Sequence, residues 1–321
     1  MIDTLDRIYT SIIDKNRVLS RLRIYSVMRV FIRVFANLIL PIYFKLTQRN
    51  PTYCISPTQK EKGRIIVTLT SFPARISRLW LVIETILRQT YKPDMLILWL
   101  SEKQFPTIDS IPASLLNLRK RGLQIEIMPD DMRSHKKYCY ALNRFPEDIL
   151  ITVDDDVFYD THLVERMMKE HERYPNAVIT NHAHRMTYNS ENHLNPYILW
   201  DRNTTSDESL FVVGIGGNLY PPHSLHPLVG NTELAYRLTP TGDDIWLNAM
   251  ARLQNTPIIH TPYHFICQIP VINIHNVDLF TSNVPSENNI QITNLIAYLK
   301  EKFGVNPFED FKQNKDNNNN I

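Results

Sequence analysis

From residue 65 onward, apolar residues gather in short unbroken runs, and between those runs they recur at helical spacing. Ile65 to Thr70 reads as a first strand. Ile76, Leu79, Trp80, Ile83, Ile86 and Leu87 then fall mostly three or four residues apart, the period of a one-sided helix. Met95 to Leu100 is a second strand. Pro112 to Arg121 predicts a short helix closed by Gly122, and Leu123 to Met128 a third strand. A helix around Lys137 to Asn143 leads to a fourth strand, Ile149 to Val153. Leu163, Val164, Met167, Met168 and His171 mark one face of the next helix, ahead of a fifth strand at Ala177 to Asn181. This regular alternation of strands with helices predicts an α/β fold, a mostly parallel sheet flanked by helices on both faces.

Past His182 the pattern loosens. Tyr188 to Ser209 is polar and long for a loop in a compact domain, which marks it as functional or mobile. Phe211 to Asn218 reads as a strand interrupted by Gly214, Gly216 and Gly217, residues used where backbone turns sharply or approaches a ligand. Thr241-Gly242-Asp243-Asp244 supplies a helix start that Ile245, Leu247, Met250 and Leu253 continue. Ile292, Leu295, Ile296, Leu299 and Phe303 share one face of a last helix, and the Asn-rich end from Lys312 to Ile321 is expected to fray. The expected organisation is a helical, membrane-associated segment over 1–50, a catalytic domain over 60–285, and a C-terminal helix with a disordered tail over 286–321.

Composition changes this picture in three ways. The near balance of 35 Lys+Arg against 33 Asp+Glu gives no electrostatic case for nucleic acid as a partner. Cys54, Cys139 and Cys267 are odd in number and lack a CxxC pattern, so they read as reduced thiols in a cytoplasmic setting. The basic charge is local: Arg17, Arg21, Arg23, Arg29 and Arg33 interleave with Val30, Phe31, Ile32, Phe35 and Leu38. The longest uncharged stretch there, Val34 to Phe44, has 11 residues and contains Pro41. That falls short of the ~20 residues a spanning helix needs. Asp3, Asp6 and Asp14, with no small-residue cleavage pattern after them, argue against a signal peptide. The expectation is a helix lying in the headgroup region of an anionic membrane, with packing on the catalytic domain or a partner subunit as the alternative.

Candidate chemistry sits in four segments. Thr70-Ser71-Phe72-Pro73-Ala74-Arg75 ends the first strand with hydroxyls and a guanidinium suited to a nucleotide. Asp130 to Lys137 follows the third strand, with acids for a base or ribose and Lys136 or Lys137 for phosphate. Asp154-Asp155-Asp156 ends the fourth strand, where open α/β sheets collect their ligands, and three crowded acids are tolerable if they share a hard divalent cation. An extended turn would send Asp154 and Asp156 to one side and Asp155 to the other. Asp243 and Asp244 open a helix, where one carboxylate can remain ionised as a general base. Any of His182, His184, His260, His264 and His275 could complete a metal site, although a lone His is more often structural.

With Val67 to Ile76, Ser134-His135-Lys136-Lys137-Tyr138, Thr152 to Asp156, Gly214 to Gly217 and Asp243-Asp244-Ile245-Trp246 in this order, the chain resembles bacterial family 2-like glycosyltransferases of the GT-A fold. The resemblance spans about Arg64 to His260. It implies a nucleotide-diphosphate sugar donor, a UDP-sugar foremost, at the edge of a Rossmann-like sheet. Asp154 and Asp156 would hold Mn2+ or Mg2+, with Asp154 and Asp155 also facing the donor. Thr70, Ser71 and Arg75 would lie near the nucleotide, Asp131 at its base, and Lys136 or Lys137 beside it. Asp243 or Asp244 would deprotonate a hydroxyl of a glycan or lipid-linked acceptor, with inversion, in surface polysaccharide synthesis at the inner face of the cell membrane. The chain departs from the family where its second strand ends Leu98-Trp99-Leu100-Ser101, and where Asp243-Asp244 replaces a Glu-Asp pair. The alternatives are a sugar-nucleotide-processing nucleotidyltransferase, which would want a glycine in the loop after the first strand, and a non-catalytic glycan-binding or scaffold protein.

Overall fold

The computed structural model describes residues 1–12, 23–57, 61–202, 209–262, 268–272 and 285–309. Arg17, Arg21, His264, Cys267, His275 and the Asn-rich end lie outside the described residues. Helices α1 (Ile2–Ser11) and α2 (Ile24–Thr47) precede β1 (Ile65–Thr70), α3 (Pro73–Ile76), α4 (Leu79–Leu87), β2 (Met95–Ser101), α5 (Ala113–Leu116), β3 (Leu123–Met128), α6 (Lys136–Arg144) and β4 (Ile149–Thr152). Then come β5 (Val157–Phe158), α7 (Leu163–Arg173), β6 (Val178–Thr180), β7 (Ala183–Arg185), β8 (Leu210–Val212), β9 (Asn218–Tyr220), α8 (Thr232–Leu238), α9 (Asp243–Leu253), β10 (Ile258–His260), β11 (Ile269–Pro270) and α10 (Pro285–Phe303).

The main sheet has the order β10-β6-β9-β4-β1-β2-β3, and all its pairings are parallel except the two made by β9. Its residues alternate between faces as the pleat demands. Ile65, Val67 and Leu69 pack with α4, α7 and the N-terminal helices, whereas Ile66 packs with α6, α9 and α10. The α/β sheet flanked by helices is therefore as the hydrophobic pattern predicts.

Four local expectations are corrected. The stretch from Phe211 to Asn218 is two strands, not one: β8 pairs with β7, a 3-10 turn covers Gly214–Gly216, and β9 enters the main sheet antiparallel. Gly217, at φ 78°, makes the reversal that a side chain would resist. The helix read over Pro112 to Arg121 is one α turn, α5, continued by a 3-10 turn at Asn117–Arg121 and closed by Gly122 at φ 105°. Thr241 caps no helix; it exchanges hydrogen bonds with Gln291 instead. Phe303 is about half exposed, with its ring against His226 at the rim, while α10 buries Ile292, Leu295 and Leu299.

Helix α2 also differs from its sequence reading. It runs 24 residues without a break through Pro41 and has the length and apolar composition of a candidate membrane span. Pro41 removes the N–H that would bond the Asn37 carbonyl, but φ is already helical and the turn continues. One face is docked on the domain: Ile32, Ala36, Leu40 and Phe44 join the core. Each large apolar side chain buried there contributes about 1.5–3 kcal/mol. Buried Asn37 fixes the register by donating to the Pro270 carbonyl at 2.9 Å and accepting from the Ile272 N–H at 2.8 Å. The opposite face leaves Phe31, Leu38 and Leu46 exposed at 69%, 63% and 79%. The segment that Asn37 grips includes β11, which pairs with β5, and the Val271 N–H donates to the Asp156 carbonyl at 2.7 Å.

Candidate active site

The loops after β1 and β4 meet at the carboxyl edge of the sheet. Ser71 Oγ donates to Asp155 Oδ2 at 2.6 Å, and Arg75 Nη1 donates to Asp155 Oδ1 at 2.6 Å while pairing with Asp156 Oδ2 at 2.9 Å. A bend at Asp155 and Asp156 brings both carboxylates to Arg75, so the opposite siding of these two expected of an extended turn does not hold, while Asp154 pairs with Lys137. The Asp154 N–H is held by the Tyr159 hydroxyl at 2.8 Å. Burial pushes the Asp156 carboxyl up to about 7; Arg75 opposes this, and the neighbouring Asp155 and Asp154 charges add to it. Thr70 Oγ1 donates to the Trp99 carbonyl at 2.8 Å, which ties β1 to β2 at this edge.

Lys137, in the first turn of α6, joins the triplet to the second pair of acids. Its buried ammonium lies 2.8 Å from Asp154 Oδ1 and 2.7 Å from Asp243 Oδ2. Burial works against the charge, yet Asp154, Asp243 and Asp244 outweigh it and hold Lys137 well above the ordinary lysine range. The α6 backbone is fixed here by the Thr68 hydroxyl of β1, which donates to the Lys137 carbonyl at 2.7 Å.

Asp243 and Asp244, at the start of α9, have opposite surroundings. Asp243 is buried, which raises its proton affinity, but Lys137 and His135 more than reverse this and keep it below the usual carboxylate range. Asp244 is partly exposed, and its Oδ2 accepts the Gly214 N–H at 2.8 Å. Burial and the Asp243 charge push Asp244 up to about 8. A side chain at Gly214 would place its Cβ 3.0 Å from Asp244 Oδ1, 3.2 Å from Lys137 Nζ and 3.3 Å from Asp154 Oδ2. Glycine thus leaves a methyl-sized gap between the groups.

Ser71, Arg75, Lys137, Asp154, Asp155, Asp156, Asp243 and Asp244 therefore converge. Lys136 and Asp131 do not join them; they pair with each other, and Asp131 also accepts from Gln104 at 2.9 Å and from the Arg133 N–H at 3.1 Å. Burial raises the Asp131 proton affinity, but its bond to Lys136 and that charge hold it below the usual range. His182 and His184 stack edge to face at 5.1 Å, and burial first, then neighbouring charge, brings them down to about 3 and about 4.

Sequence reasoning gave no role to Tyr159 or to His135, whose Nε2 donates to the Thr239 carbonyl at 2.6 Å while its Nδ1 faces the Tyr138 hydroxyl at 2.8 Å. The Ser134-His135-Lys136-Lys137-Tyr138 run contained that signal, since a His between hydroxyls and lysines at a sheet edge has partners within reach.

Among the described residues, no group of three or more His, Cys, Asp or Glu side chains stands ready to hold a metal ion. Asp154 and Asp156 still suit a hard divalent cation. Their carboxylates are 28% and 33% exposed, the donors are oxygen, and burial first, then the neighbouring acids, raises the proton affinity of Asp156, which a cation would oppose.

No protein-family model and no curated protein matches the sequence. Similar solved structures include a mannosyltransferase from Pyrobaculum calidifontis in complex with GDP-Man and Mn2+, 11% identical, covering 95% of this chain and 79% of that one, with a TM-score of 0.48. HddC from Yersinia pseudotuberculosis complexed with GMP-PN is 11% identical over 50% of this chain and 78% of that one, with a TM-score of 0.32. CMP:2-keto-3-deoxy-manno-octonic acid synthetase complexed with CTP is 10% identical over 71% of this chain and 99% of that one, with a TM-score of 0.36. Likeness at this level assigns neither a reaction nor residues to the chain.

Proposed function

We propose that the chain is a metal-dependent glycosyltransferase that moves a sugar from a nucleotide-diphosphate donor, foremost a UDP-sugar, to a hydroxyl of a glycan or lipid-linked acceptor with inversion. The observation that carries this reading is the meeting of two carboxylate groups, the triplet after β4 and the pair opening α9, on the single buried ammonium of Lys137. Acids of sharply different proton affinity held together at a sheet's carboxyl edge suit one group for a cation and the other for proton transfer.

In this reading Asp244 is the base. It is the more exposed of its pair and, with a value near 8, basic enough when ionised to take a proton from a sugar hydroxyl. The acceptor oxygen forms its bond to the anomeric carbon as the bond to the diphosphate breaks; the electron pair leaves with the diphosphate and the proton goes to Asp244. Asp243 holds Lys137 in place. Asp154 and Asp156 are the residues that would hold Mn2+ or Mg2+, which would supply positive charge to the diphosphate. Arg75 orients the triplet through Asp155 and Asp156, leaving Thr70, Ser71, Asp131 and Lys136 for the nucleotide end.

The exposed face of α2 rests on an anionic membrane in this reading, at the cytoplasmic side where lipid-linked acceptors of bacterial surface polysaccharide are presented. The test is donor hydrolysis and thermal stabilisation with UDP-, GDP- and dTDP-sugars, with Mn2+ or with EDTA. One nucleotide class is expected to stabilise the protein only with metal, and Asp156→Ala to abolish the effect. Binding and turnover that ignore EDTA would overturn the metal role.

A further inference from the structure

We propose that a basic cavity at the carboxyl end of α2 binds the phosphate of a membrane lipid headgroup. This rests on α2 lying on a membrane and adds a specific chemical contact to it. The cavity, of about 610 Å3, lies between the end of α2, α4 and the turn at Asn117–Arg121, and Lys45, Arg49, Lys120 and Arg121 line it with one carboxylate, Glu84. Glu84 cancels only part of that charge, because its oxygens are shared between Arg121 at 2.5 Å and buried Arg88 at 3.0 Å. Arg121 is further fixed by the Tyr53 carbonyl at 2.6 Å. The Lys45 ammonium lies 5.9 Å from the centre of the Trp80 ring, which makes an aromatic wall. Arg49 and Lys120 are exposed, and among the described residues neither has a carboxylate within 4.0 Å.

The apolar row on α2 leads toward Arg49, one of the residues that line this cavity. Leu38, Ile42 and Leu46 are exposed at successive helical turns, and Arg49 follows within one more. A lipid lying along α2 would thus set its acyl chains against the row and its phosphate among Lys45, Arg49 and Lys120. The volume suits a headgroup, and several cations at a bilayer surface favour a phosphate over a neutral group.

The test measures binding of the full chain to phosphatidylcholine vesicles doped with either phosphatidate or oleate at matched surface charge. Wild type is expected to prefer phosphatidate about tenfold. The double variant Arg49→Gln/Lys120→Gln should bind both alike, and Arg49→Lys/Lys120→Arg should keep the preference. An unchanged melting temperature verifies that each variant is folded. No preference in wild type, or a preference that survives in the glutamine variant, overturns the proposal. Soluble glycerol 3-phosphate, which lacks acyl chains, is expected to leave vesicle binding intact; displacement at concentrations equal to the lipid would assign the cavity to a free phosphate compound and overturn the lipid assignment. Failure to bind any vesicle would sink the membrane reading as well, whereas binding without headgroup preference sinks only this inference.

Discussion

Lys136 and Lys137 are neighbours at the start of α6, both buried, each ion-paired to aspartate, and yet they belong to different kinds of cluster. Lys136 meets one carboxylate, Asp131, which is a quarter exposed and is further satisfied by Gln104 and the Arg133 N–H. Lys137 meets two, Asp154 and Asp243, brought from two other elements, with Asp244 close by. The first cluster is local and balanced in charge; the second carries more acid than base. In the proposed reading the balanced pair serves the nucleotide end, whereas the cluster with excess acid takes the cation that restores its balance.

The sharpest way to break this comparison is to remove each lysine. Lys137→Met leaves Asp154 and Asp243 facing each other without a cation and is expected to cost about 3–5 kcal/mol of stability, the range for an orphaned buried charge. Lys136→Met is expected to cost only about 1–3 kcal/mol, because Asp131 can turn to water. Urea unfolding measures both, and equal losses would show that the clusters do not differ.

Next in size is an opposite dependence on pH. Asp244 holds its proton up to about 8 in the folded chain, against ~4 in an unfolded one. Its contribution to stability is therefore fullest below ~4 and declines as pH rises toward 8. Asp131, lowered by Lys136, contributes above the usual carboxylate range and loses that contribution as pH falls through its depressed value. Asp244→Asn should flatten the slope between ~4 and about 8 and spare the limb below it, and Asp131→Asn should do the reverse. Urea midpoints measured from acid to mildly alkaline pH decide it; if both variants change the same limb, the assignment fails.

The smallest effect on stability is expected from Gly214→Ala, which crowds only the Lys137 cluster. It should cost about 1 kcal/mol, yet lower donor turnover about tenfold to a hundredfold through misplacement of the carboxylates. Steady-state kinetics that match wild type would mean that the gap at Gly214 is not used.

The sheet was legible because its strands are long and apolar enough to reveal themselves: Ile65 to Thr70 and Leu123 to Met128 have the observed bounds. What stayed hidden depends on distant partners. Three-residue β9 has no period of its own, and its antiparallel direction is set by the reversal at Gly217. The site's residue types were readable, but their directions were not. Whether Lys136 or Lys137 faces the acids depends on helical phase, and Arg75 is held by carboxylates 80 and more residues away. The full length of α2 is not legible from the 11 uncharged residues between Arg33 and Lys45, because the docked face carries the helix past both charges.

The stretch Pro270-Val271-Ile272 is gripped from both sides. Asn37 of α2 clamps its outer flank, and the N–H between those two contacts secures the carbonyl of Asp156. Trimming the first fifty residues to obtain a more tractable protein would therefore free one wall of the candidate site along with the hydrophobic helix. If the proposed reading holds, slower turnover in such a shortened form traces first to a slackened Asp156 backbone and only then to loss of the membrane contact.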